Sequence, residues 1–115
     1  MHTVVEMPTF LRQAERHGMS EEEREEFVGY IAANPDAGDL IKGSGGCRKV
    51  RFAGKGKGKS GAFRMITFFA SQNMPVFLLT MYAKDRLKTL TDVQVNAMKQ
   101  MVKAIANEYE GKEGR

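Results

Sequence analysis

The 115-residue chain predicts an α+β fold. The expected architecture is an antiparallel sheet of about four strands, packed on N-terminal helices and a C-terminal helix, in the order β-α-α-β-β-β-α. Three observations predict it. Two helix-start signatures, Ser20-Glu21-Glu22-Glu23 and Thr91-Asp92-Val93-Gln94, stand near the two ends of the chain. The hydrophobic period changes from helical to two after Gly46. Three apolar runs then follow, separated by a Lys/Gly/Ser loop and a Ser71-Gln72-Asn73 turn.

In chain order, Thr3-Val4-Val5-Glu6 is a short β-prone run stopped by Pro8, and Phe10, Leu11 and Ala14 suggest a short helix behind it. The Ser20 hydroxyl can accept from the Glu23 amide while Glu23 reaches back, and the acidic first turn suits the positive end of the helix dipole. Phe27, Val28, Ile31 and Ala32 form that helix's apolar stripe, and Asn34-Pro35 ends it. Residues 36–46 read as a polar, glycine-rich connection. Cys47 to Ala53 alternates, with Lys49 and Arg51 on one face and Val50 and Phe52 on the other. Residues 54–61 read as a loop, 62–70 as a strand, and 74–83 as a central strand, apolar on both faces for most of its length. The last helix carries Val95, Met98, Met101, Val102 and Ile105 at helical spacing. Residues 1–115 are expected to form one domain, with a frayed charged tail over 108–115.

The net charge of +4 conceals an asymmetry. Residues 1–39 carry three basic and nine acidic side chains, residues 40–84 nine basic and no acidic ones, and residues 85–115 six and five. The middle segment is suited to a polyanion; the acidic N-terminal part reads as a solvated helix. No apolar run approaches the ~20 residues of a membrane span, and the first ten residues do not resemble a signal peptide. The single cysteine, Cys47, cannot form an internal disulfide. A reducing cytoplasm is the expected compartment.

Several chemistries are disfavoured. With His2 and His17 the only histidines and no CxxC or HxxxH pair, a metal centre is not expected. Cys47 has no histidine nearby in sequence to activate it and reads as a small strand residue. The segment from Ala53 to Ser60 fits a relaxed phosphate-loop pattern, ending in Gly58-Lys59-Ser60. That motif requires a following helix, and here a β-branched, aromatic run follows instead. The loop therefore reads as a hairpin connection or as a basic grip on a phosphate backbone. The C-terminal methionines read as core filler.

One constellation remains: Lys49 and Arg51 on one strand face, Arg64 opening the next strand, and Tyr82 and Lys84 leaving the last. If the three strands are neighbours, these side chains converge on one end of the sheet. A solvated face with scattered charges is the competing reading. Four cations without a carboxylate favour a phosphate site over a salt-bridge network. RNA brings its own nucleophile, the 2′-hydroxyl. Cleavage by it needs a base, stabilisation of the added negative charge, and a proton for the departing 5′-oxygen. Arginine suits the second need; a lysine of depressed pKa, or Tyr82, could carry protons.

Three segments, Gly46 to Ala53, Gly58 to Ile66 and Phe77 to Lys84, resemble the core of RelE/HigB-type toxins of type II toxin–antitoxin systems. The similarity is strongest to the HigB-like branch of the RelE/ParE superfamily, which shares the lysine-glycine loop and the Leu78-Leu79-Thr80-Met81-Tyr82-Ala83-Lys84 strand. The resemblance implies a RelE-like fold and a metal- and cofactor-independent, ribosome-dependent endoribonuclease (mRNA interferase). Such toxins cut mRNA in the ribosomal A site and thereby inhibit translation. They imply a cognate helix-turn-helix antitoxin as partner, with operator DNA bound only through the toxin–antitoxin complex. By the same resemblance Lys49, Arg51, Arg64 and Lys84 match the family's catalytic cations, Arg64 being the transition-state stabiliser, with Tyr82 beside them. Arg48, Lys55, Lys57, Lys59 and Arg86 are the expected RNA-binding positions. The family tyrosine of the C-terminal segment has no equivalent here, so the general base is unassigned. A same-fold gyrase inhibitor of the ParE type and a non-catalytic nucleic-acid-binding module are the alternatives.

Overall fold

The computed structural model describes residues 1–53, 63–83 and 90–113. Its elements are β1 (Val4–Glu6), α1 (Pro8–Arg16), α2 (Glu21–Ala33), β2 (Asp39–Leu40), β3 (Cys47–Phe52), β4 (Phe63–Phe68), β5 (Val76–Ala83) and α3 (Asp92–Glu113). The fold is α+β, as expected, but the sheet has five strands in the order β1-β5-β4-β3-β2. It is mixed rather than purely antiparallel, because β1 runs parallel to β5. The fifth strand, β2, is a two-residue pairing of Asp39 with Lys49 and Leu40 with Arg48. Two exposed residues have no alternation to detect, so this stretch reads as part of the connection.

Local chemistry sets the helix boundaries. Ser20 Oγ accepts from the Glu23 amide at 3.1 Å, and Glu23 Oε1 accepts from the Ser20 amide at 2.9 Å, closing the expected capping box. Thr91 and Gln94 repeat the device at α3: the Thr91 amide donates to Gln94 Oε1 at 2.8 Å, and the Gln94 amide donates to Thr91 Oγ1 at 3.2 Å. Pro8 opens α1, where its missing N–H costs nothing. The last helix runs to Glu113. The Tyr109 ring packs edge-on against Phe77 at 5.3 Å.

The sheet separates two apolar layers. On one face Phe10, Ala14, Phe27 and Ile31 of α1 and α2 pack on Val50, Met65, Leu78 and Met81. On the other, Met98, Val102 and Ile105 of α3 pack on Cys47, Ile66, Phe68, Phe77 and Leu79. Gly38 lets the chain pass tightly beside β3: its φ is +94°, and a Cβ there would lie 2.5 Å from the Lys49 carbonyl oxygen. A strand, β4, begins at Phe63, three residues after Ser60, where a phosphate loop needs a helix. Among the described residues no helix is long and apolar enough to cross a membrane.

One irregularity decides which side chains share a face. In the β4–β5 ladder Thr67 pairs with Leu78 but Ile66 pairs with Thr80, leaving Leu79 as an extra residue. Without this bulge Met81 would stand across from Arg64 and Tyr82 would turn to the α1–α2 side. With it, Arg64 pairs with Tyr82.

Candidate functional site

Arg51 pairs with Arg64, and Arg64 with Tyr82, so three side chains of β3, β4 and β5 stand in one row on the α3 side of the sheet. Adjacent strands lie ~4.8 Å apart, which spreads the row over about 10 Å. Lys49 belongs to the next row, with Ile66 and Thr80. Helix α3 buries Cys47, Ile66 and Phe68 but leaves this end of the face open: Lys49 and Arg51 are exposed, while Arg64 and Tyr82 are half-buried.

Two like charges directly opposed on neighbouring strands destabilise a sheet. Arg51 and Arg64 are such a pair, and among the described residues neither has an ion-pair partner; the ion pair present there is Arg24 with Glu6, at 2.8 Å on the opposite side of the fold. The Nη1 atom of Arg64 is buried and lacks a hydrogen-bond partner among the described residues. A half-buried guanidinium with a spare donor, beside a second cation, is suited to receive an anion. Burial raises the Tyr82 phenol above its ordinary range, and the nearby Arg64 charge offsets part of that rise. Tyr82 therefore stays protonated at neutral pH and offers a donor.

The register also brings in a carboxylate that sequence reading missed. Asp39 stands directly across from Lys49, exposed and, among the described residues, without an ion pair. It lies one residue before the acid-free stretch begins, and only the two-residue β2 pairing carries it to this face. Arg48, by contrast, alternates to the other face and donates from Nη1 to the Gly38 carbonyl at 3.0 Å, so it does not join Lys49 and Arg51. Lys55, Lys57, Lys59, Lys84 and Arg86 lie outside the described residues.

Cys47 is fully buried in the α3 layer. Burial pushes its thiol up to about 11, against a smaller opposing effect of the Ser44 hydrogen bond, so it is a packed thiol and not a nucleophile. Among the described residues no three His, Cys, Asp or Glu side chains converge closely enough to hold a metal ion.

A cavity of about 350 Å³ adjoins the cationic row, with Tyr82 in its wall. It lies between α1, β5 and α3, where β1 stops pairing with β5 at Leu78. Gln13 of α1 and Gln94 of α3 both reach it. Nothing in the sequence pattern relates these two distant helices, so the cavity is not visible before folding.

A small α+β protein with a cationic row that lacks a carboxylate partner among the described residues is of a class suited to binding anions. The family model described as the RelE toxin of the RelE/RelB toxin–antitoxin system matches residues 3–112. The solved structure of an E. coli toxin RelE mutant, with two arginines changed to alanine, in the free state, superposes with a TM-score of 0.53 at 11% identity, covering 87% of this chain and 95% of that one. That likeness concerns the fold. The chain belongs to the RelE toxin family, and is the toxin component of a toxin–antitoxin module.

Proposed function

We propose that this toxin is a metal-independent, ribosome-dependent endoribonuclease that cuts mRNA in the ribosomal A site and so inhibits translation. The observation that carries the reading is the Arg51–Arg64–Tyr82 row, two opposed arginines with no carboxylate partner among the described residues, beside a protonated phenol. The 2′-hydroxyl oxygen attacks the adjacent phosphorus, the bond to the 5′-oxygen breaks, and a cyclic phosphate and a free 5′-hydroxyl result. Arg64 holds the charge that develops on the phosphoryl oxygens, with Arg51 and Lys49 on the flanking phosphates. Tyr82 supplies the proton for the departing oxygen. Asp39, across from Lys49 on the same face, takes the proton of the 2′-hydroxyl. Lys84 serves as a further cation at the β5 exit, and Lys55, Lys57, Lys59 and Arg86 grip RNA, including ribosomal RNA. Arg48 is assigned to packing, because it lies on the other face, where its Nη1 donates to the Gly38 carbonyl.

The same reading places the chain in the HigB-like branch and in the cytoplasm, with a helix-turn-helix antitoxin as partner and operator DNA reached only through the complex. The test is mapping of mRNA 5′ ends after induction without the antitoxin. Cuts confined to translated frames, lost when initiation is blocked, support it. Intact mRNA with DNA damage would identify a gyrase poison instead, and salt-dependent RNA binding without cutting or toxicity a passive binding module.

A further inference from the structure

We propose that the cavity between α1, β5 and α3 receives one unstacked nucleobase of the RNA whose phosphate lies on the Arg51–Arg64–Tyr82 row; the inference rests on the nuclease reading above.

Position is the first argument. Tyr82 belongs to both features: it is the last member of the row and part of the cavity wall. A phosphate on Arg64 thus lies about one strand spacing, ~5 Å, from the strand that carries the Tyr82 wall of the cavity, which is the scale of the step from a backbone phosphate to its base. Shape and composition are the second. The volume of about 350 Å³ lies near the lower end of the ~300–1,000 Å³ range of small-molecule sites, and exceeds the needs of a bound water or ion. Its floor is apolar and polarisable, formed by Met81, Met98 and Met101. Thioethers pack well on the flat faces of aromatic rings. The polar groups at its rim are those that read a base edge. Gln13 brings a carboxamide, and Gln94, whose Oε1 is held by Thr91, keeps its amide hydrogens to donate.

Charge is the third argument. Among the described residues no carboxylate lines the cavity, although nine of the first 39 residues are acidic, and Arg16 is part of its lining. This is the charge pattern expected beside a polyanion. Sequence-specific RNA recognition generally takes splayed-out bases in such slots.

The test uses ribosomes programmed with messages in which each of the three A-site nucleotides in turn is abasic. The wild-type toxin is expected to cut one of the three about tenfold or more slowly than the intact message, the scale of one lost base contact. Ala97 lines the cavity at an exposed position of α3, so Ala97→Phe fills the space without disturbing the core. In that variant the intact message is expected to be cut as slowly as the abasic one, with no further penalty for removing the base and an unchanged Tm. Gln13→Ala, which requires no repacking, should lose part of the same discrimination. Equal cutting of all abasic messages by wild type, or a base dependence that survives Ala97→Phe, overturns the proposal while leaving the nuclease intact. So does unchanged cutting by Ala97→Phe together with loss of neutralisation by the antitoxin, which would mark a protein-docking groove. Failure of the wild type to cut the intact message removes the nuclease reading as well.

Discussion

Arg64 on β4 stands directly across from Tyr82 on β5, and the Nη1 of its guanidinium is buried with no hydrogen-bond partner among the described residues. A protein selected for stability alone would not keep that arrangement, because a buried, unsatisfied charged donor costs more than an apolar side chain of similar length. Stability and activity are therefore expected to part at this position. Arg64→Met should unfold at the same Tm as wild type or higher, while Arg64→Met and Arg64→Ala both lose toxicity. In reconstituted cleavage the loss should be roughly 10²–10³-fold, the scale of one removed oxyanion donor. A fully toxic Arg64→Ala variant would remove Arg64 from the chemistry.

Tyr82 is the half-buried phenol of the same pair, and its role as proton donor separates it from a stacking platform. Tyr82→Phe keeps the ring and removes the proton. It should lower kcat by about 10²-fold or more, within the range of a lost general acid, with KM little changed. A kcat equal to that of wild type would leave Tyr82 as a wall of the cavity only.

Asp39 and Arg48 form a contrasting test of the face assignment. Asp39→Asn should reduce the cleavage rate by about 10²-fold or more. Arg48→Ala should leave cleavage within about twofold of wild type. It should instead cost about 1 kcal/mol of stability, read by denaturant unfolding, through loss of its bond to the Gly38 carbonyl. Activity loss in Arg48→Ala with unchanged stability would reverse this assignment.

Gly38 is expected to tolerate no side chain. Gly38→Ala combines a positive φ with a Cβ 2.5 Å from the Lys49 carbonyl oxygen and 2.7 Å from Val50 Cγ2. A loss of roughly 2–3 kcal/mol in denaturant unfolding is the expected result. An unchanged midpoint would show that β2 is not held against β3 as described.

Cys47 makes stability depend on alkaline pH. Its thiol is raised by burial from 9.0 to about 11 in the folded state. Between these values the unfolded chain loses its proton first. The neutral thiol's contribution is therefore fully present below pH 9 and is lost as pH rises through about 11. Cys47→Ala should be less stable than wild type at pH 7 by about 1 kcal/mol, from the lost sulfur contacts. The deficit should shrink or reverse by pH 11, because the ~2 kcal/mol linkage loss falls on the wild type alone. Parallel stability curves for the two proteins across this range would contradict the buried thiol.

Much of this architecture is written in short-range patterns. Ser20 with Glu23 and Thr91 with Gln94 mark their helix starts because a cap is satisfied within four residues. The alternation of β3 puts Lys49 and Arg51 together because a strand's period is two, and the same period sends Arg48 away. The β-branched, aromatic run after the lysine-glycine loop is enough to exclude a phosphate-loop helix. These features need no knowledge of the rest of the chain.

Other features exist only through pairing between distant segments. The parallel docking of β1 on β5, the two-residue β2 that delivers Asp39, and the cavity joining Gln13 to Gln94 are contacts between segments far apart in sequence. The extra residue at Leu79 is the sharpest case. By alternation alone Tyr82 lies on the face of Leu78, turned towards α1 and α2. The bulge shifts the phase by one and sets Tyr82 beside Arg64. By itself, then, the sequence determined the class of fold and which cations alternate together, since periodicity and caps are local. The tertiary structure alone decided that Arg51, Arg64 and Tyr82 form one row, because register is set where strands meet and one unpaired residue turns every later side chain to the opposite face.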